Sequence, residues 1–211
     1  MTKLLAQLLN GFLNDINFFS NYTLNHIKMR RLNMFLLLLL PIFIFSQTNE
    51  EFSIFSQILT EKIEKSKKKI VLQKETYVLT SEKQKEFRYK YLKTNFKDLE
   101  LETFNDFKNL NNKKFIFENK FDKKLNVTFI DNEEITALFK SHTAWEDFYK
   151  KYKNAIGIIE FSRIGFNKSK TQALLYYSKT SGFSNGHGNY IFLKKINGKW
   201  IKVLEVMAWI S

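Results

Sequence analysis

From position 157 to position 211 the chain reads as four apolar runs divided by turns, and this stretch limits its possible folds more than any other. The runs are GIIEFSRIGFN, TQALLYYSKT, NYIFLKKI and WIKVLEVMAWIS, separated by KSK, SGFSNGHG and NGK. Asn197-Gly198 between two apolar runs is a strong short-range hairpin signal, because both residues tolerate the positive φ that a tight hairpin turn needs. Positions 167–170 fit a four-residue hairpin turn. Gln172, Leu174 and Tyr176 alternate with Ala173, Leu175 and Tyr177. Both sets are largely apolar, so the sheet is expected to be covered on both faces.

The segments before this meander read mostly as helices. Phe52, Phe55, Leu59 and Ile63 recur at helical spacing and predict a helix over 50–66. Residues 69–79 read as extended, and 80–90 as a polar loop or a short helix. Thr103 to Asp106 resembles a capping box that opens a second helix carrying Phe104, Phe107 and Leu110, closed by Asn111-Asn112. Short strands are expected at 114–119 and 125–130. Further capping boxes at 131–134 and 143–146 open two more helices. Trp145, Phe148, Tyr149 and Tyr152 form an aromatic stripe on the last one, suited to packing on a sheet. Helices first and strands last predict an α+β domain, its helices packed on a C-terminal antiparallel four-strand meander.

The amino-terminal part has a different character. Lys28, Arg30 and Arg31 precede a twelve-residue apolar run at 34–45, followed by Ser46 and a polar stretch. Twelve residues are short for a helix spanning a bilayer, which takes about 20, and normal for the core of an export signal. The expected organisation is a doubtful extension at 1–28, a signal peptide at 29–46 starting from Met29, and one exported domain at 47–211. The alternative is an uncleaved anchor holding the domain outside the inner membrane.

Of 211 residues 44% are hydrophobic and 16% aromatic, which is a globular composition. The 22 Phe, alongside many Lys, Asn and Ile, fit the codon bias of an AT-rich genome. There is no Cys, which removes disulfides, thiolate metal ligation, a Cys nucleophile and a lipoprotein anchor. The formal charge is +13. The lysines are spread among acids, apart from Lys67-Lys68-Lys69, so the basic balance reads as a solvated surface. It suits an anionic glycan or envelope component as partner. Phe87-Arg-Tyr-Lys-Tyr91 interleaves basic and aromatic residues as single-strand nucleic-acid binders do, but export argues against such a partner.

Catalytic chemistry has few candidates. His26, His142 and His187 are the three histidines, without the spacing of a zinc motif, and no metal or cofactor is expected. Ser184 lies three residues from His187 but lacks a nucleophile elbow, and no catalytic residue is assigned. The glycine-rich stretch with Gly182, Ser184, Gly186 and Gly188 reads as a loop between strands, whose exposed amides would suit an anion. Glu160 and Glu205 are acids inside apolar strands. On a solvated face they would pair with Lys or Arg163; facing a cavity, burial would raise their pKa and make them acid–base candidates. The candidate pocket set is therefore His142, Glu160, His187 and Glu205.

Several pieces together resemble a family of bacterial secreted proteins. They are the Trp145–Tyr149 helix, GIIEFSRIGFN at 157–167, Gln172 to Tyr176, the glycine stretch at 182–188, Gly198-Lys199-Trp200 and the closing Trp209-Ile210-Ser211. The resemblance implies an exported domain and no particular reaction. Some members carry Cys in the glycine stretch, which this chain lacks. The order of helices then meander is also similar to cone-shaped nuclear-transport-factor-like domains, a fold that hosts enzymes and binders alike. The sequence thus points to a non-catalytic binding or structural domain, with a small hydrolase or isomerase as the rival. Fractionation followed by amino-terminal sequencing should find a mature chain beginning at Gln47. Recovery of Met1 in the membrane fraction would reverse both the start and the cleavage.

Overall fold

The computed structural model describes residues 49–63, 68–79 and 82–211. The extension and signal peptide read from the sequence, with His26, lie outside the described residues. In chain order the elements are α1 (49–63), β1 (Lys69–Gln73), α2 (Glu82–Asn95), α3 (Leu101–Leu110), β2 (Val127–Ile130), α4 (Asn132–Leu138), α5 (Ala144–Lys151), β3 (Ala155–Phe161), β4 (Gly165–Phe166), β5 (Gln172–Gly182), β6 (Asn185–Ile196) and β7 (Lys199–Ile210). The strands form one sheet in the order β2-β1-β3-β5-β6-β7, with β4 paired to β5.

The expected α+β architecture is present, and β3, β5, β6 and β7 make the antiparallel four-strand part. β1 pairs in parallel with both β2 and β3, so the sheet is mixed. Parallel neighbours are joined by crossovers rather than hairpins, so no turn motif announces them in the sequence.

Alternation in β5 decides which side each helix covers. Ala173, Leu175 and Tyr177 share a buried cluster with Phe52, Phe55, Ile58 and Leu59 of α1, and with Phe117 and Phe121. Leu174 and Tyr176 point the other way and pack with Leu92 of α2 and Phe104 and Phe107 of α3. On that second face α5 lays Trp145, Phe148 and Tyr152 over Val71 of β1 and Ile130 of β2. The aromatic stripe is thus core packing. Each such side chain, fully buried, contributes about 1.5–3 kcal/mol.

Polar ties fix the helices in register. Glu51 of α1 receives Arg163 through Nε at 2.9 Å and Nη2 at 2.8 Å, and also accepts the Ile164 amide. Arg163 lies over the Phe115 ring. At α3 the expected Thr103 capping box is not formed: the helix starts at Leu101, with Glu100 as N-cap. Instead Gln172, from β5, accepts from the Glu100 amide and the Thr103 hydroxyl. At Asp131 the N-cap half of the box is formed, its side chain accepting from the Glu134 amide, while the Glu134 carboxylate takes the Tyr152 hydroxyl and Lys151. The Thr143 box is not formed; the Thr143 hydroxyl donates to Asp147 instead.

Three other local expectations are revised. Residues 82–95 form a full helix whose sequence is polar nearly all round, so its periodicity is faint and Leu92 anchors it. Of 114–119, only Ile116 makes an isolated bridge, to Glu75. The glycine stretch is largely strand: β5 runs to Gly182 and β6 begins at Asn185. Asn197 and Gly198 both have positive φ, as the hairpin signal requires.

Gly165 sits where α3 crosses the sheet, and a Cβ there would lie 2.2 Å from the Phe107 backbone nitrogen. Gly165→Ala should therefore lower stability by about 3 kcal/mol, since backbone must move to admit a methyl. Gly198→Ala has open space and meets only the positive φ, so its loss should be about 1 kcal/mol. Urea unfolding of the two variants checks the order; equal losses would contradict the close crossing.

Candidate functional site

On the face covered by α2 and α3, the sheet carries tyrosines where a purely packing surface would carry aliphatics. Tyr176 of β5 and Tyr190 of β6 are cross-strand partners, with ring centroids 5.4 Å apart. Tyr77, in the segment after β1, lies 4.2 Å from Tyr176, ring to ring. α2 brings Arg88 above this group, and its guanidinium stands 5.4 Å from the Tyr190 centroid and 6.0 Å from that of Tyr77. Arg88 Nη1 donates to both hydroxyls, that of Tyr77 at 2.9 Å and that of Tyr190.

β7 closes the opposite wall. Trp209 is the cross-strand partner of Gly188, and its Nε1 donates to the Tyr176 hydroxyl at 2.7 Å. A Cβ on Gly188 would come within 2.1 Å of that nitrogen, and one on Gly186 within 3.0 Å of the indole edge. These two glycines are the floor on which Trp209 lies. From α2, the Tyr91 hydroxyl donates to the Met207 carbonyl at 2.7 Å and ties the helix to β7. Tyr77, Arg88, Tyr91, Tyr176, Tyr190, Met207, Ala208 and Trp209 enclose a cavity of about 430 Å³. That falls in the range of small-molecule sites, roughly 300–1,000 Å³.

A smaller cavity of about 210 Å³ adjoins α4 and α5, lined by apolar Ile135, Phe139, Trp145 and Ile158 and by polar Gln73, Glu160, Ser178 and Thr180. Ser178 donates to Glu160 at 3.3 Å, and Tyr176 lies two residues before it on the same face of β5. A line of polar side chains thus runs across the sheet from Glu160 through Ser178 and Tyr176 to Trp209. Burial pushes the Glu160 carboxyl up to about 7, against a partial lowering by Ser178.

The four candidate pocket residues fall in three places. Glu160 lies on the tyrosine face. His187 and Glu205 lie on the α1 face, in mutual electrostatic reach, with His187 6.0 Å from the Tyr177 ring. Both Glu205 oxygens accept from Lys62, and Oε1 also accepts from Asn189 at 2.7 Å. Burial alone would raise the Glu205 carboxyl, but Lys62 holds it below its usual range. Burial and the nearby Lys179 and Lys62 depress the His187 imidazole. His142 is exposed in the turn before α5. Gly182 ends β5, Ser184 is exposed in the hairpin turn, and Gly186 and Gly188 lie in β6. Among the described residues no three His, Asp or Glu side chains gather as a metal site would require.

Arg88, Tyr77, Tyr176, Tyr190 and Trp209 were not candidates from the sequence. The signal present was the Phe87–Tyr91 interleaving, which marks Arg88 and Tyr91 without naming the strands they face. No family model, curated protein or solved structure matches the chain.

The raised Glu160 pKa has a sign that can be tested. Its ordinary value is 4.5, so the folded protein holds this proton more tightly than the unfolded chain. That contribution is complete below about pH 4.5 and is lost as pH rises through about 7. Glu160→Gln should match the parent in stability at pH 4. At pH 8 it should exceed the parent by up to about 3 kcal/mol in denaturant unfolding. Parallel pH profiles would show that Glu160 is not buried as described.

Proposed function

We propose that the chain is an exported, non-catalytic binding domain of the cell envelope or medium, and that its ligand is a small molecule held in the Arg88–tyrosine cavity. The cavity itself carries this reading: about 430 Å³, walled by five aromatic side chains, with one half-buried cation over the tyrosine rings. Aromatic walls with a few convergent polar groups are the usual make-up of a binding pocket. Export enters from the basic, apolar and polar order of 28–50, and the bacterial secreted-family resemblance belongs to the same proposal. So does a nuclear-transport-factor-like cone, whose interior would be the helix-covered tyrosine face. An anionic glycan or envelope component suits the basic surface as a further partner.

A second reading, a small secreted hydrolase or isomerase, draws on Glu160. A buried carboxyl at about 7 beside a small cavity is poised to exchange a proton at neutral pH. The placement of His187 on the opposite face from Glu160, with the neighbouring Glu205 held by Lys62, favours the binding reading over a site that pairs Glu160 with a histidine.

Thermal-shift and intrinsic-fluorescence screening of a small-molecule library should return ligands that raise the melting temperature and perturb Trp209, since a ligand for the folded state stabilises it. Ala208→Trp adds bulk to the cavity lining at an exposed position and should abolish the shift while leaving the unliganded protein as stable as before. Ligands whose shift survives this variant would place binding elsewhere. Chemical conversion of a hit, lost in Glu160→Gln, would favour the enzyme instead.

A further inference from the structure

We propose that the cavity selects an organic acid, its carboxylate seated on Arg88 and the Tyr77 and Tyr190 hydroxyls, its apolar body against Tyr176, Met207 and Trp209. The inference rests on the reading of this cavity as a ligand site and adds the chemistry of what fills it.

Counting donors and acceptors leads there. Arg88 is a permanent cation that can only donate. It is half-buried, and its described partners are two neutral phenols. A buried charge without a counter-ion is costly, and the faces of Tyr77 and Tyr190 offset only part of that. Among the described residues no carboxylate pairs with Arg88. The phenols deepen the imbalance. Each uses its oxygen to accept from Arg88 Nη1, so each O–H still needs an acceptor.

Among the described residues the neighbouring side-chain and carbonyl acceptors are already engaged. The Met207 carbonyl takes the Tyr91 hydroxyl. The Tyr176 hydroxyl takes the Trp209 indole. Glu160 is the acid that this line of hydroxyls reaches, and it is held by Ser178. The cavity therefore presents the remaining guanidinium N–H groups and two phenolic O–H groups without a matching acceptor. An ionised carboxylate supplies up to four lone-pair positions and matches the flat guanidinium fork. The rest of the lining, Tyr91, Tyr176, Met207, Ala208 and Trp209, offers rings, a thioether and a methyl, which suit an apolar or aromatic body. A bare inorganic anion would leave that wall unused.

The test compares 3-phenylpropionate with its neutral amide, the amine 2-phenylethylamine, and inorganic phosphate, by calorimetry on the full domain at neutral pH and fixed salt. The acid should bind at least tenfold more tightly than the amide, a difference of about 1.4 kcal/mol. Arg88→Gln should erase that preference and leave amide binding unchanged; Tyr190→Phe, which keeps the ring, should reduce it severalfold. Circular dichroism and melting temperature report whether each variant is folded. A merely structural Arg88 would weaken acid and amide alike, and that result overturns the proposal. Equal binding of acid and amide, or tighter binding of the amine, overturns the carboxylate preference and leaves the cavity as a ligand site. Phosphate binding more tightly than the acid overturns the apolar body. Binding of none of the four at millimolar concentration overturns the carboxylate assignment and removes the support for the site.

Discussion

β5 is buried on both faces, and most of the structure follows from covering it. A strand buried on one side can alternate apolar and polar residues; β5 has seven consecutive buried positions from Gln172 to Ser178. One row of its side chains needs α1 and the phenylalanine-rich segment around 117–121. The other needs α2 and α3. Neither layer could be removed without exposing a contiguous apolar patch, so helices from distant parts of the sequence close on one strand from opposite sides.

The polar contacts that hold these layers are few and long-range. Glu51 is almost fully buried and its carboxylate is shared between the Arg163 side chain and the Ile164 amide. Breaking one partner of such a pair strands a charge in the interior, which costs more than the pair contributes when intact. The pair therefore acts less as glue than as a constraint on register: α1 can sit on the sheet only where Glu51 meets the turn after β3. Gln172 serves α3 similarly, since a helix amide that lacks a local cap must find an acceptor elsewhere or remain unsatisfied.

What could be read from the sequence is what local chemistry dictates. The meander, the two-sided cover, the Asn197-Gly198 turn and the Asp131 cap depend on residues a few positions apart. The misread features share a different cause. Thr103 has the residues of a capping box, but Gln172 lies closer to the need and replaces it. Residues 82–95 carry too little periodicity to announce a helix, because their contacts are decided by the sheet. The glycines at 186 and 188 read as loop because glycine in a strand is usually a defect. Here the defect is filled by an indole from the next strand, and no spacing rule foretells a partner twenty-one residues away. Glu160 was legible as an odd acid in an apolar strand; that it shares a face with Tyr176 and not with His187 follows from strand parity within the observed register.

The cavity is assembled from Tyr77, Arg88 and Tyr91, from Tyr176 and Tyr190, and from Met207, Ala208 and Trp209, three groups that meet in the fold. An unfolded chain does not hold these walls together, so an occupant of the cavity binds the native molecule in preference to the unfolded one. Occupancy and folding are then linked equilibria: each tenfold excess of ligand over its dissociation constant adds about 1.4 kcal/mol to the native state. For a chain without cysteines, a site built this way would make the ligand part of what keeps the protein folded.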